Sequence, residues 1–341
     1  MRTPTNILIA RLSSIGDIIL TSPLVRVVRE TFPQARISFL VKKEFASLVL
    51  HNPNIDQVIV FDKAGGRGAL KLLRKRVTIE KFDWFIDLHN NLRTNYLKLF
   101  LRFPEVSTYS KQSLRRWLLV KFGKNAFREA RPVYLRYFDA VSHRNLRYDK
   151  QGTEVFFPSI ETINLEKKLA SDGIDPTRPV YVICPGASFS NKQWIPERFG
   201  AVADILVEDK QAQIVFLGGL NDYALCAEIA ASMKYKALNY AGECSLLGSA
   251  ALLGKASVVL TNDSGMMHLA QSQNTPVVAI FGPTTKELGF FPITVKSWVV
   301  EKDVPCRPCT TKGLNYCPKK HFNCMKLIET TDILKALKDL S

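Results

Sequence analysis

Asn6-Ile-Leu-Ile-Ala-Arg-Leu-Ser-Ser-Ile-Gly-Asp17 begins as a short apolar run and then breaks into small and polar residues. A short apolar run bounded by turn signals reads as a strand buried on both faces, the kind found in parallel sheets. Gly16 lets the backbone approach a ligand closely. Asp17 falls at or near the start of the next helix. It is there either as a cap or as a carboxylate able to take a proton from an attacking hydroxyl. The stretch therefore reads as strand, ligand loop and helix start.

Outward from this stretch the same alternation repeats. In the first half, strands are expected at Asn6–Leu12, Arg36–Val41, Gln57–Phe61, Asp83–Leu88 and Glu105–Tyr109. Helices are expected between and after them, among others at Ser22–Thr31, Leu92–Leu101, Leu114–Phe122 and Val133–Arg144. Periodicity fades around Tyr148–Ser159, which sets the expected boundary between domains 1–155 and 156–341. The alternation restarts with strands at Pro179–Cys184, Gln213–Leu217, Ser257–Leu260 and Pro276–Phe281. The helices paired with them are Pro196–Glu208, Asp222–Met233, Ser245–Leu253, Ser264–Gln271 and a closing Thr331–Leu340. Strands alternating with helices imply βαβ units, so the fold class is α/β with two doubly wound parallel sheets. Two such domains are expected to form a cleft, with ligands outside the carboxyl ends of the strands.

A composition of 46% hydrophobic and 23% charged residues over 341 positions is that of an ordinary globular chain. The N-terminus lacks a long apolar stretch of the secretory type, and no run of about 18 apolar residues offers a membrane span. The net charge is +16, and it is concentrated: Lys63 to Lys150 holds 21 Lys and Arg against 7 Asp and Glu. Such a surface attracts polyanions, whether nucleic acid, anionic lipid or a phosphorylated acceptor.

Three loops of the second half each follow a strand. Cys184-Pro-Gly-Ala-Ser188 continues to Lys192 and Pro196; Gly186 and Ser188 suit a phosphate cradle and Lys192 supplies a compact charge. Thr261-Asn-Asp-Ser-Gly265 opens a helix whose free N–H groups form an anion site, with Ser264 as a hydroxyl donor. Asp263 is read there as a cap or an acceptor for ligand hydroxyls, and His268, one turn after Ser264, as a ligand contact or a packed structural residue. Gly218-Gly-Leu-Asn-Asp222 places Asp222 either on a ribose or at a helix cap. Together the loops imply a nucleoside diphosphate. Neither G-x-x-x-x-G-K-[ST] nor G-x-G-x-x-G occurs, which argues against ATPase and common dinucleotide readings. No two aspartates stand one residue apart, so a paired-carboxylate metal site for a sugar nucleotide is not expected.

These motifs resemble those of glycosyltransferase family 9, the heptosyltransferases. The resemblance rests on Arg11–Asp17 with Thr21-Ser-Pro-Leu24, Pro185-Gly-Ala, Lys192-Gln-Trp-Ile-Pro-Glu-Arg-Phe199, Asn262-Asp-Ser-Gly-x-x-His268 and Phe281-Gly-Pro-Thr284, in family order along nearly the whole chain. It implies a GT-B fold of two Rossmann-like domains. It also implies metal-independent, inverting transfer of L-glycero-D-manno-heptose from ADP-heptose to the lipid A–core acceptor, without a cofactor. On this resemblance Asp17 is the catalytic base. Ser188, Lys192, Ser264, Gly265 and His268 hold the donor diphosphate, and Asp222 and Asp263 the nucleoside. Ser14, His89, Asn91, Arg93, Arg115 and Arg116 are the candidate acceptor contacts, with helix capping the alternative at Asn90 or Asn91. The basic segment around Trp117 suits an anionic membrane surface, which implies a cytoplasmic, peripheral location on the inner membrane. Two other readings stand beside this one: the same transferase chemistry with another nucleotide sugar, and a non-catalytic nucleic-acid binder. The second finds no recognisable nucleic-acid module, so no nucleic-acid partner is expected.

The segment 306–324 carries Cys306, Cys309, Cys317 and Cys324. Its C-x2-C opening suits zinc, but the second pair is too widely spaced for a standard ribbon, so reduced, packed thiols are the leading expectation.

Overall fold

The structure, a computed structural model, describes residues 2–293 and 296–340, apart from the side chain of Arg67. The chain divides into two compact units, Met1–Ser113 with Val133–Phe157, and Leu114–Pro132 with Pro158–Ser341.

In the first unit five parallel strands form one sheet: β1 (Asn6–Ala10), β2 (Arg36–Lys42), β3 (Gln57–Phe61), β4 (Trp84–Asp87) and β5 (Glu105–Thr108). Their order is β3-β2-β1-β4-β5. β1 is central, which is why Ile7, Leu8, Ile9 and Ala10 are all buried: a strand flanked on both sides and covered on both faces has no polar side. On one face Leu8, Leu40, Ile59 and Phe85 pack with Leu73, Val77 and Leu97 from helices Gly66–Glu80 and Leu92–Phe100. The expected helix Val133–Arg144 ends early, at Asp139. There the hydrogen bonding tightens from i−4 to i−3 acceptors (Ala140 to Tyr137, Val141 to Phe138) and a 3-10 turn follows at Ser142–Arg144.

The second unit holds six parallel strands: β6 (Val180–Cys184), β7 (Gln213–Phe216), β8 (Ala237–Asn239), β9 (Val258–Asn262), β10 (Val277–Phe281) and β11 (Ser297–Glu301). Their order, β11-β10-β9-β6-β7-β8, is the Rossmann order when counted from β6. Each strand expected in the sequence is present, with ends moved by a residue or two. β8 and β11 are additional. Both are edge strands with half-exposed positions, and neither has a continuous apolar run to mark it. The core of this unit joins Ile183, Trp194, Phe199, Phe216 and Ile280 to Ile333 and Leu337 of the closing helix Thr330–Leu340.

No helix among the described residues is long and apolar enough to cross a membrane.

Candidate active site

In the first unit the strand order reverses between β1 and β4, which are neighbours although β2 and β3 lie between them in sequence. In doubly wound sheets ligands bind at such a switch point, outside the carboxyl ends of the strands. Two loops meet there: Arg11–Asp17 after β1 and Leu88–Asn91 after β4. Arg11, nearly buried, places its guanidinium 2.5 Å from the Asp17 carboxylate, donates to the Ser13 carbonyl at 2.9 Å and reaches the Leu88 carbonyl at 2.6 Å. Asp17 sits in the first turn of the short helix Ile15–Ile19. The Ser14 hydroxyl and backbone N–H both donate to its second oxygen, at 2.7 and 3.1 Å. Burial alone pushes the Asp17 carboxyl up, but the charge of Arg11 and the Ser14 hydrogen bonds outweigh it and hold the group below its ordinary value. The result is an ionised carboxylate fixed at the sheet edge.

The β4 loop is tied in from the other side. The His89 ring accepts the Leu12 N–H at Nδ1, 3.2 Å away. Burial first, and then the charges of Arg11 and Lys111, push this imidazole down to about 3, so it is neutral near pH 7. Asp87 is fully buried; it accepts the N–H groups of His89 and Asn90 and pairs with Lys98 at 2.8 Å. Asn91 caps the helix Leu92–Phe100, accepting from the backbones of Arg93 and Thr94 at 2.9 and 3.0 Å. The capping alternative thus describes what its carbonyl does. The Arg93 guanidinium lies over the Phe61 ring.

In the second unit the switch point falls between β6 and β9. The loops after them are joined by Asn262, whose side chain donates to the Pro185 carbonyl (2.7 Å) and accepts the Trp194 N–H (3.1 Å). Lys192 reaches across to Asp263 at 2.6 Å, and the Thr284 hydroxyl donates to the same carboxylate at 2.6 Å. Asp263 is therefore no cap. That place belongs to Ser264, which accepts the Met266 N–H and touches the Thr261 hydroxyl. Gly265 opens the helix Gly265–Gln271, and His268, buried one turn on, faces the Phe290 ring. Ser188 is exposed in the β6 loop.

Asp222 lies at the carboxyl ends of β6 and β7 and accepts the Gly219 N–H at 2.9 Å. A Cβ on Gly186 would stand 2.2 Å from its carboxylate, and one on Gly218 within 2.7 Å, so both positions need glycine for this approach. Burial pushes the Asp222 carboxyl up.

The segment 306–324 braces the loops that follow β6 and β10. Asn191 exchanges hydrogen bonds with the backbone of Leu314, and Arg307 fans into the carbonyls of Phe281, Gly282, Thr284 and Lys302 and onto Glu301. All four cysteines of the segment are free thiols. Burial, then the neighbouring Cys306 and Cys317, raise Cys309; burial raises Cys324 to about 11. Cys306 Sγ lies 3.8 Å from His321 Nε2. Among the described residues no group of three or more His, Cys, Asp or Glu side chains is arranged to hold a metal ion.

Arg115 is exposed on the helix Ser113–Phe122. Arg116 is turned inward: it donates to the Leu288 carbonyl at 3.2 Å and lies over the Phe290 ring. The ion pairs Arg11–Asp17 and Lys192–Asp263, the Asn262 link and the Arg307 fan have no signature in residue spacing. For the two pairs the only hint is that each joins residues of neighbouring or identical loop motifs.

A family model for glycosyltransferase family 9 (heptosyltransferase) matches residues 70–319. The chain is 25% identical over 296 residues to lipopolysaccharide heptosyltransferase 2 of Salmonella typhimurium, covering 82% of this chain and 84% of that one. A crystal structure of a family 9 glycosyl transferase from Veillonella parvula superposes with a TM-score of 0.83 at 25% identity, over 98% of this chain and 97% of that one. The structure of the E. coli ADP-heptose lps heptosyltransferase II gives a TM-score of 0.74 at 22% identity, over 98% of both chains. Two Rossmann-like parallel-sheet units in tandem are thus shared with the GT-B heptosyltransferases.

Proposed function

The chain belongs to glycosyltransferase family 9, the heptosyltransferases, and on that premise we propose that it moves L-glycero-D-manno-heptose from ADP-heptose to the inner core of lipopolysaccharide, with inversion at the anomeric carbon. The names of its relatives support the substrate class: one is a lipopolysaccharide heptosyltransferase and another an ADP-heptose lps heptosyltransferase. The single observation that carries the chemistry is the state of Asp17. It is a carboxylate kept ionised by Arg11 and Ser14 at the switch point of its sheet, where a proton acceptor is of use.

In this reading Asp17 takes the proton of an acceptor hydroxyl as that oxygen bonds to the anomeric carbon. The bond from that carbon to the diphosphate breaks on the opposite side, and ADP leaves with the electron pair. Lys192, Ser188 and the Ser264–Gly265 turn, with His268 behind them, carry the charge that develops on the diphosphate. Asp263 holds Lys192 until the diphosphate takes its place. Asp222, at the ends of β6 and β7, takes the ribose hydroxyls. Ser14, His89, Asn91, Arg93 and Arg115 line the acceptor side. A lipid-anchored acceptor places the enzyme on the cytoplasmic face of the inner membrane. There the helix Ser113–Phe122 offers Leu114, Trp117 and Phe122, all exposed, to the bilayer.

The test is mass spectrometry of defined core acceptors incubated with ADP-heptose and with a panel of other sugar nucleotides. One added heptosyl unit from ADP-heptose alone supports the reading. Transfer from a different sugar nucleotide keeps the transferase and replaces the donor; no transfer from any donor removes the function.

A further inference from the structure

Helices Gly66–Glu80 and Leu92–Phe100 lie side by side on one face of the first sheet. Leu73, Val77 and Leu97 turn inward to the core. Leu72, Lys75, Arg76 and Ile79, at i, i+3, i+4 and i+7, share the outward face of the first helix. Leu92 and Leu99 share that of the second, with Phe100 beside them. These large apolar side chains are not marginally accessible: Leu72, Ile79, Leu92, Leu99 and Phe100 are between 54% and 88% exposed. Arg74 bridges the two helices, its guanidinium 5.9 Å from the Tyr96 ring and 5.5 Å from that of Phe100. The first helix carries five basic residues against one acidic; on the second, Lys98 is turned to Asp87 and Arg93 lies over Phe61, so the cations of this face come from the first helix. Lys71, Lys75 and Arg76 are exposed.

Apolar side chains exposed in this number mark a surface made to be covered. The charge decides what covers it. A second copy of the same face would oppose like charges. A polynucleotide answers the lysines and arginines but leaves the aliphatic side chains in water, whereas nucleic-acid faces are polar. An anionic bilayer answers both, the headgroups meeting the cations and the acyl boundary receiving the leucines. We infer that the paired outer faces of helices Gly66–Glu80 and Leu92–Phe100 are a bilayer-docking surface for anionic phospholipid. The inference rests on the proposed lipid-linked acceptor, which gives an enzyme of this kind reason to dwell at a membrane.

The test is co-sedimentation of the full-length protein with vesicles of phosphatidylcholine alone, or of phosphatidylcholine mixed with phosphatidylglycerol. The wild type is expected to pellet with the mixed vesicles only, and less as salt rises. Each basic residue near such a surface changes partitioning about fivefold, so Lys75→Gln with Arg76→Gln lowers it roughly 25-fold. Leu72→Ser with Leu99→Ser lowers it by about tenfold or more per inserted leucine. All four positions are solvent-facing and outside the candidate active site, so both variants keep the wild-type melting temperature and full transfer to a delipidated core oligosaccharide. Wild-type binding by both variants overturns the inference, as does equal binding of the wild type to both vesicle types. Binding to a single-stranded oligonucleotide that the variants lose, without vesicle binding, also overturns it, in favour of nucleic acid. Transfer to the delipidated acceptor is read separately. Its loss with docking intact sinks the transferase reading alone, and its presence without docking sinks this inference alone.

Discussion

Removing the charge of Asp17 tests two things at once, and a paired variant separates them. In the folded chain the Arg11 and Asp17 side chains are only 9% and 16% exposed, so each is the other's counter-ion out of water. Asp17→Asn leaves the guanidinium buried with the carbonyls of Ser13 and Leu88 as partners and no charge to balance it. Breaking a buried pair from one side costs about 3–5 kcal/mol, while replacing both partners with neutral groups is often near neutral. Asp17→Asn is therefore expected to lose about 3 kcal/mol of unfolding free energy, and the double variant Arg11→Met, Asp17→Asn to recover most of it. Turnover behaves differently. A general base contributes about 10²–10⁴ in rate, and the double variant still lacks it. Urea unfolding gives the stabilities, and kcat at saturating donor and acceptor gives the rate, with ADP titration confirming an intact donor site. A stable double variant whose kcat returns to the wild-type level would refute Asp17 as the base and leave it a structural ion-pair partner.

Further expectations follow from the same contacts. The acid limb of kcat/KM falls below 3.8, the ordinary aspartate value, because Arg11 and Ser14 hold Asp17 down against burial; Arg11→Gln moves that limb to higher pH, and an unmoved limb would contradict the assignment. The stability carried by this depressed carboxyl is present above its unfolded value and is lost as pH falls through the lower folded one, which acid unfolding of the wild type and Asp17→Asn compares. On the proposed role of Lys192, Lys192→Met removes a charged hydrogen bond to the diphosphate, worth about 1.5–3 kcal/mol, so calorimetry should find ADP bound roughly ten- to a hundredfold more weakly. Gly186→Ala drives a methyl into the Asp222 carboxylate, so KM for the donor rises while the melting temperature of the first unit is unchanged.

The sequence made the skeleton legible and left the wiring hidden, for physical reasons. β1, β6, β9 and β10 are interior strands, flanked and covered, so their apolar runs stand out. β8 and β11 sit at sheet edges with half-exposed positions and do not. Gly16, Gly186 and Gly265 mark loops that follow strands. Which loops become neighbours is set by the order of strands within each sheet. Local periodicity does not encode that order, yet it brings Leu88 to Arg11 and Asp263 to Lys192. The cap at Asn91 was readable because a cap is local. The bracing of the loops after β6 and β10 by Leu314 and Arg307 was not, since those contacts run through main-chain carbonyls and amides that carry no sequence signal. Arg116 reads in the sequence as a candidate acceptor contact in a basic segment; the fold shows it turned to Leu288 and Phe290.

A crystal structure of the chain with an unreactive ADP-heptose analogue and a core acceptor would show where both substrates lie against Asp17 and Lys192. Lys192 is expected to have swung from Asp263 onto a diphosphate oxygen, with the Asp17 carboxylate about 3 Å from the acceptor hydroxyl. A diphosphate bound away from Lys192 and Gly265, or an acceptor hydroxyl with no path to Asp17, would contradict it.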